Sequence, residues 1–296
     1  MLISIHFNIR QIRPDTWQIM PAKNMYCSRG GIRLEILETL FLGLVQGLTE
    51  FLPVSSSGHL VIFQNILGIN EGEITLDILL HLGTLVAVFA CFWEDIWELV
   101  RHPFQRFTGL LLLGCIPAGI VGVLFESFFE QAFQSLLVVG LGLLFTGFIL
   151  WFSERISWNF FNYKDQNSMT FKDAIFIGLL QAIAIIPGIS RSGSTISAAL
   201  AMGLDRSLAA RYSFLLSIPT ILGAAGFKLR DIFRTGISSH LILPYVLGTL
   251  CAAICGYIAI KLVVDLVKRG NLSVFSYYCW SIGGLVLVYK AITFIL

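Results

Sequence analysis

The chain has 296 residues, of which 56% are hydrophobic and 13% charged, with a formal net charge of +2 and a mean hydropathy of +0.81. Soluble domains carry roughly 25% charged residues, so this composition excludes a water-soluble globular fold and points to an integral membrane protein. The net charge is too small to argue for a nucleic-acid partner, and the apolar runs are continuous rather than alternating, which favours helices over a barrel.

In chain order, residues 1–33 read as an N-terminal tail. They lack the uninterrupted apolar core of a signal peptide, and Met20 and Met25 are alternative starts. From residue 34 to 296 the pattern is that of a single polytopic membrane domain. Apolar segments fall near 36–52, 54–69, 76–93, 108–125, 134–152, 171–187, 192–203, 209–227, 241–264 and 274–295. Those at 54–69 and 192–203 are short, follow Pro53 and Pro187, and open with Ser and Gly. Broken segments of that kind predict re-entrant half-helices that meet at a polar break inside the protein. The expected fold is therefore all-α, with about eight transmembrane helices plus two re-entrant segments. Lys and Arg occur in nearly every polar connection, so a positive-inside count along the sequence gives no orientation. Cys27, Cys91, Cys115, Cys251, Cys255 and Cys279 form no C-x-x-C pair and read as packing residues.

An internal repeat runs through the two breaks. Gln46 precedes Pro53-Val-Ser55-Ser56-Ser57-Gly58, and Gln181, 135 positions later, precedes Pro187-Gly-Ile-Ser190-Arg191-Ser192-Gly193. The halves, about 34–150 and 170–296, carry broken segments in corresponding positions, which predicts inverted-topology repeats with a site at their interface.

The residues at these breaks are reactive types. Gln46 and Glu50 share a helix face, and a carboxylate at membrane depth needs a cation, a metal or a proton. Ser55, Ser56 and Ser57 supply hydroxyls and free N–H groups at a helix start, either as caps or as anion donors. His59, three residues after Ser56, is spaced to act on its hydroxyl as acid or base. Arg191 stays charged, and its planar fork suits a phosphate, with Ser190, Ser192, Gly193 and Thr195 offering further donors. Together they form a phosphoryl-transfer constellation. A lipid flippase or transporter would use the same broken helices without bond cleavage, and an intramembrane serine protease would use Ser and His without needing Arg191. Asp77 and His81, one turn apart, either support the site or mark the membrane boundary. Asp205, Arg206 and Arg211 read as boundary charges.

At these residues the chain resembles the undecaprenyl-diphosphate phosphatase family linked to bacitracin resistance. The resemblance rests on Gln46-x-x-x-Glu50 followed by Phe-Leu-Pro-Val-Ser-Ser-Ser-Gly-His59, and on Pro187-Gly-x-Ser-Arg-Ser-Gly-x-Thr195. It extends to His81-Leu-Gly-Thr-Leu-x-Ala-Val and Phe214-Leu-Leu-Ser-Ile-Pro219, and covers the chain from about residue 34 onward. It implies hydrolysis of undecaprenyl diphosphate to the monophosphate and inorganic phosphate, recycling the peptidoglycan lipid carrier. It also implies a bacterial cytoplasmic membrane location, a site facing the extracytoplasmic side, and a divalent cation, Mg²⁺ or Ca²⁺. By motif position, Glu50 matches the essential acid, Ser56 the nucleophile, His59 the acid/base and Arg191 the phosphate-binding arginine. Many members carry Glu where this chain has Gln46, which removes a charge and leaves Glu50 as the carboxylate for a metal. The lipid substrate and membrane lipid are the expected partners, and a homodimer is left open.

Overall fold

The computed structural model describes residues 32–68, 74–157, 163–270 and 272–295, so the expected tail lies outside it apart from its last two residues. Among the described residues every element is a helix: α1 (Ile32–Phe51), α2 (Ser56–Leu67), α3 (Ile74–Cys91), α4 (Trp93–Arg101), α5 (Arg106–Leu124), α6 (Glu126–Phe133), α7 (Leu136–Ser157), α8 (Phe171–Ile183), α9 (Arg191–Ala201), α10 (Arg206–Thr235), α11 (Ser239–Lys268) and α12 (Ser273–Ile295). Four of them, α5, α7, the Arg206–Gly226 part of α10, and α11, are long and apolar enough to cross a membrane. A fifth is counted if α3 and α4, bent by 84° at their junction, make one broken span. With this composition, the chain is a multi-pass helical membrane protein.

The two short segments behave as the proline breaks require. Pro lacks an N–H and pushes the preceding residue out of the helical region, so α1 ends just before Pro53. Helix α2 restarts with Ser55 as N-cap, its hydroxyl accepting from Gly58 N at 3.2 Å, and ends on Gly68 in the left-handed conformation. It then runs back along α1, since the rings of Phe41 and Phe63 meet edge to face with centroids 5.0 Å apart. Helix α9 restarts in the same manner, with the Ser190 hydroxyl accepting from Gly193 N at 3.0 Å. The α8–α9 pair also folds back: Lys164, ahead of α8, donates its N–H to Gly203 O at 2.7 Å, and Asp205 N donates to Lys164 O at 2.9 Å.

The tips of these two hairpins meet. The Ser192 hydroxyl donates to Leu52 O at 3.2 Å. A Cβ added at Gly58 would stand 3.1 Å from Gly188 Cα, and one at Gly193 would stand 3.2 Å from Pro53 Cβ. Around them α1 packs along α11 and α7 along α12. Small residues allow the first approach: an added Cβ at Gly47 would lie 2.6 Å from that of Cys255, which fits the packing role expected of that cysteine.

Two helices lie where the sequence suggested only connections. Helix α4 occupies the polar stretch after residue 93, with Ile96 buried and Trp93 and Trp97 exposed, and α6 turns between α5 and α7. The boundary charges are paired. Arg206 Nη2 meets Glu154 Oε1 at 2.7 Å, with Arg206 also donating to the Ser157 hydroxyl at 2.8 Å. Arg211 pairs with Asp95, Lys164 reaches Asp173 at 2.8 Å, and Arg106 donates to Asn167 O. These contacts join α4, α5, α7, α8 and α10 at one end of the bundle.

Candidate active site

The centre of the paired tips is Glu50, in the last turn of α1 and 6% exposed. Its Oε1 takes Arg191 Nη2 at 2.6 Å. Its Oε2 takes the Ser56 hydroxyl at 2.6 Å and Gln46 Nε2 at 2.9 Å, with His81 Nε2 at 3.7 Å. One carboxylate thus gathers donors from α1, α2, α3 and α9. A buried, unpaired carboxylate would cost several kcal/mol, and this one is paired and hydrogen-bonded at both oxygens.

The two helix starts are wired alike. Ser55 Oγ lies 3.3 Å from Ser57 Oγ, and Ser190 Oγ lies 3.2 Å from Ser192 Oγ, each pair beside its capping bond. They differ in where the backbone enters the left-handed region. The second tip uses Gly188 at φ 89°, whereas the first uses Ser55 at φ 69°, the one non-glycine residue with positive φ among those described. That conformation costs a β-carbon-bearing residue about 1–3 kcal/mol. It turns the Ser55 carbonyl inward, where it accepts from both His59 N at 3.2 Å and His59 Nδ1 at 2.8 Å.

His59 is 4% exposed, and its second ring nitrogen, Nε2, lies 2.9 Å from the hydroxyl of Tyr278 on α12. Its hydrogen bonds therefore run to Ser55 and Tyr278, while Ser56 donates to Glu50. The imidazole that faces Glu50 is that of His81. From there a partly exposed polar path leads outward along α3: His81 Nδ1 donates to Asp77 O at 2.7 Å, and Gln64 Nε2 donates to Asp77 Oδ1 at 2.9 Å.

Several donors and acceptors at the site are left open. Arg191 Nη1, Ser194 Oγ and Gln46 Oε1 are buried without a protein partner. The Thr195 hydroxyl is engaged with Ser213 Oγ at 2.6 Å and with Arg191 O. Residues that the sequence did not single out also shape the site. Thr146 of α7 accepts from Ser190 N at 2.9 Å and reaches Gly188 O at 3.0 Å, holding the second tip in place. A hydroxyl in the middle of an apolar helix was the available signal for it. Tyr278 carried none, as one aromatic residue among many.

Oxygen ligands for a hard cation at the site are one carboxylate, Glu50, and one open amide oxygen, Gln46 Oε1. Among the described residues no three His, Cys, Asp or Glu side chains converge on a common point. Glu50 and the open Gln46 Oε1 fit an ion such as Mg²⁺, which takes one or two carboxylates and completes its shell with phosphate oxygens and water. They do not make an all-protein cage.

A polytopic helical membrane protein with two proline-broken hairpins meeting at a buried acid–arginine pair is the class that fold and site define. The chain belongs to the BacA family, described as bacitracin resistance protein BacA, whose profile matches residues 39–285. It is 48% identical over 262 residues to the undecaprenyl-diphosphatase of Halothermothrix orenii, covering 88% of this chain and 100% of that one. It is 44% identical over 256 residues to the protein of the same name from Carboxydothermus hydrogenoformans, covering 86% and 97%. The undecaprenyl-diphosphatase of Methanosphaera stadtmanae is 42% identical over 281 residues, covering 88% and 99%.

Proposed function

We propose that this chain is a membrane phosphatase that hydrolyses undecaprenyl diphosphate to undecaprenyl phosphate and inorganic phosphate, the activity for which its relatives are named. The observation that carries this reading is the contact of Arg191 with Glu50 across the hairpin tips, with the Ser56 hydroxyl on the same carboxylate. Anion-binding and proton-accepting groups then face one reacting phosphorus.

The second tip holds the diphosphate. Arg191 Nη1 and Ser194 Oγ are open donors at the start of α9, where free N–H groups and the helix dipole favour an anion. The first tip supplies the chemistry. Ser56 Oγ attacks the terminal phosphorus while its proton passes to Glu50 Oε2, along the bond already formed at 2.6 Å. The phosphoanhydride P–O bond breaks and undecaprenyl phosphate leaves. Water then attacks the phosphoserine, the Ser56 Oγ–P bond breaks, the proton held by Glu50 returns to Ser56 Oγ, and inorganic phosphate leaves with the water oxygen. His59, bonded to Ser55 and Tyr278 and not to Ser56, serves as acid/base at Nε2 for that water. Glu50 and Gln46 would hold the Mg²⁺ or Ca²⁺ ion, which when bound supplies charge neutralisation at the phosphates.

The reading extends to location: the cytoplasmic membrane of a bacterium, with the site opening outward. Two features support it. Arg106, Lys164, Arg206 and Arg211 gather at the end where α4 meets α5, and basic residues favour the cytoplasmic side. The polar path from His81 to Gln64 leads toward the other end of α3.

Phosphate release from undecaprenyl diphosphate by the purified protein tests the activity. Release is expected to vanish in Arg191→Ala and to depend on a divalent cation. Retention of full activity in that variant overturns the cradle. Trapped phosphate on Ser56 is expected, and a substantially active Ser56→Ala replaces the covalent step by direct attack of water.

A further inference from the structure

One contact at the site remains without a role. Tyr278 reaches His59 from α12, a helix 219 positions away in sequence, with its hydroxyl 2.9 Å from Nε2. The two rings lie almost parallel, 10° between planes with centroids 5.7 Å apart. The other ring nitrogen, Nδ1, is 2.8 Å from Ser55 O. A carbonyl only accepts, so in the neutral ring Nδ1 carries the hydrogen and the lone pair is on Nε2. The phenol hydrogen is the donor that meets that lone pair.

The helix that presents Tyr278 is itself fixed. The next residue, Cys279, is buried with its thiol 3.7 Å from Pro53 O at the first tip. The residue after that, Trp280, donates its indole N–H to Leu144 O on α7 at 3.2 Å. Tyr278 is 42% exposed while His59 is 4% exposed, so the phenol ring forms the outer cover of the imidazole.

We propose that Tyr278 is a positioning residue for His59: its hydroxyl caps Nε2 of the tautomer that Ser55 O selects, and its ring holds the imidazole plane. This rests on the acid/base role of His59 in the phosphatase reading. The strained Ser55 backbone grips one side of the ring and Tyr278 grips the other. Without the phenol hydroxyl, the imidazole is tethered at one nitrogen only.

The test compares full-length protein with Tyr278→Phe, which keeps the ring and removes only the hydroxyl, and with Tyr278→Leu, which removes both. Expected for Tyr278→Phe is a fall in kcat of about 3- to 10-fold, the worth of one hydrogen bond, with KM within about twofold and an unchanged thermal midpoint. Tyr278→Leu is expected to lose more. A second readout is independent of turnover. The rate at which diethyl pyrocarbonate modifies His59, followed by peptide mass, is expected to rise in Tyr278→Phe because Nε2 loses its cap. An unchanged kcat or an unchanged modification rate in Tyr278→Phe overturns the proposal. If the wild-type protein releases no phosphate, the phosphatase reading fails. In that case an unchanged modification rate still overturns the contact and a raised rate still supports it.

Discussion

Glu50 draws donors from four helices, and its burial makes each of them consequential. In Arg191→Ala the carboxylate keeps its burial and loses its cation, a change that costs about 3–5 kcal/mol for a buried pair. The thermal midpoint of the purified protein should therefore fall together with phosphate release. Replacing both partners, Glu50→Gln with Arg191→Met, should restore much of the midpoint and none of the activity. Recovery of activity in that double variant would sink the roles given to both. Ser55 is the second sensitive residue. Ser55→Gly loses the bond to Gly58 N but relieves the positive φ of 69°, so its stability should lie within about 1 kcal/mol of wild type. Ser55→Ala loses the cap and keeps the strain, and should cost about 1–2 kcal/mol in the same unfolding measurement. At this scale the sequence was informative about types and spacing. The acid, the hydroxyls and Arg191 were visible because each is costly in an apolar chain. The partners were not: His81 rather than His59 faces Glu50, and Tyr278 and Thr146 come from helices whose approach no local pattern encodes.

At the scale of elements, the two hairpins follow from proline and from small residues at the tips. Pro53 and Pro187 stop α1 and α8, and capping serines restart α2 and α9. The tips then need room. Gly142 of α7 lies under the second tip, where an added Cβ would be 2.6 Å from Pro187 O. Gly142→Ala should therefore displace the 187–190 backbone and lower phosphate release at least about tenfold, while the helices remain folded by circular dichroism; overpacking of this kind typically costs 1–3 kcal/mol. Wild-type turnover in Gly142→Ala would show that the tip tolerates displacement. The proline breaks and their repeat were legible in the sequence because they use strong local signals. Helices α4 and α6 were not, since short amphipathic turns between spans resemble polar connections. The place of α4 in the fold is marked by a contact between distant segments, the Arg211–Asp95 pair that ties it to α10.

At the scale of the whole molecule, folding sorts charges that look evenly scattered along the chain. Arg106, Lys164, Arg206 and Arg211 converge on one end through Asn167, Asp173, Glu154 and Asp95. The proposed orientation puts that end at the cytoplasm, in keeping with the positive-inside tendency. In a background with the native cysteines replaced by serine, a cysteine at Gln166 should react with an impermeant maleimide only after cells are opened. A cysteine at Asn65, exposed near the end of α2, should react in intact spheroplasts. The reverse pattern would overturn the proposed orientation. By itself the sequence determined the solvent the protein lives in, the two broken segments and the residue types of the site, because hydropathy, proline breaks and buried charge are local or compositional properties. Only the tertiary structure decided which groups meet at Glu50, which imidazole faces it, and which charges share an end. Those are distances between segments far apart in the chain, set by how closely the helices pack.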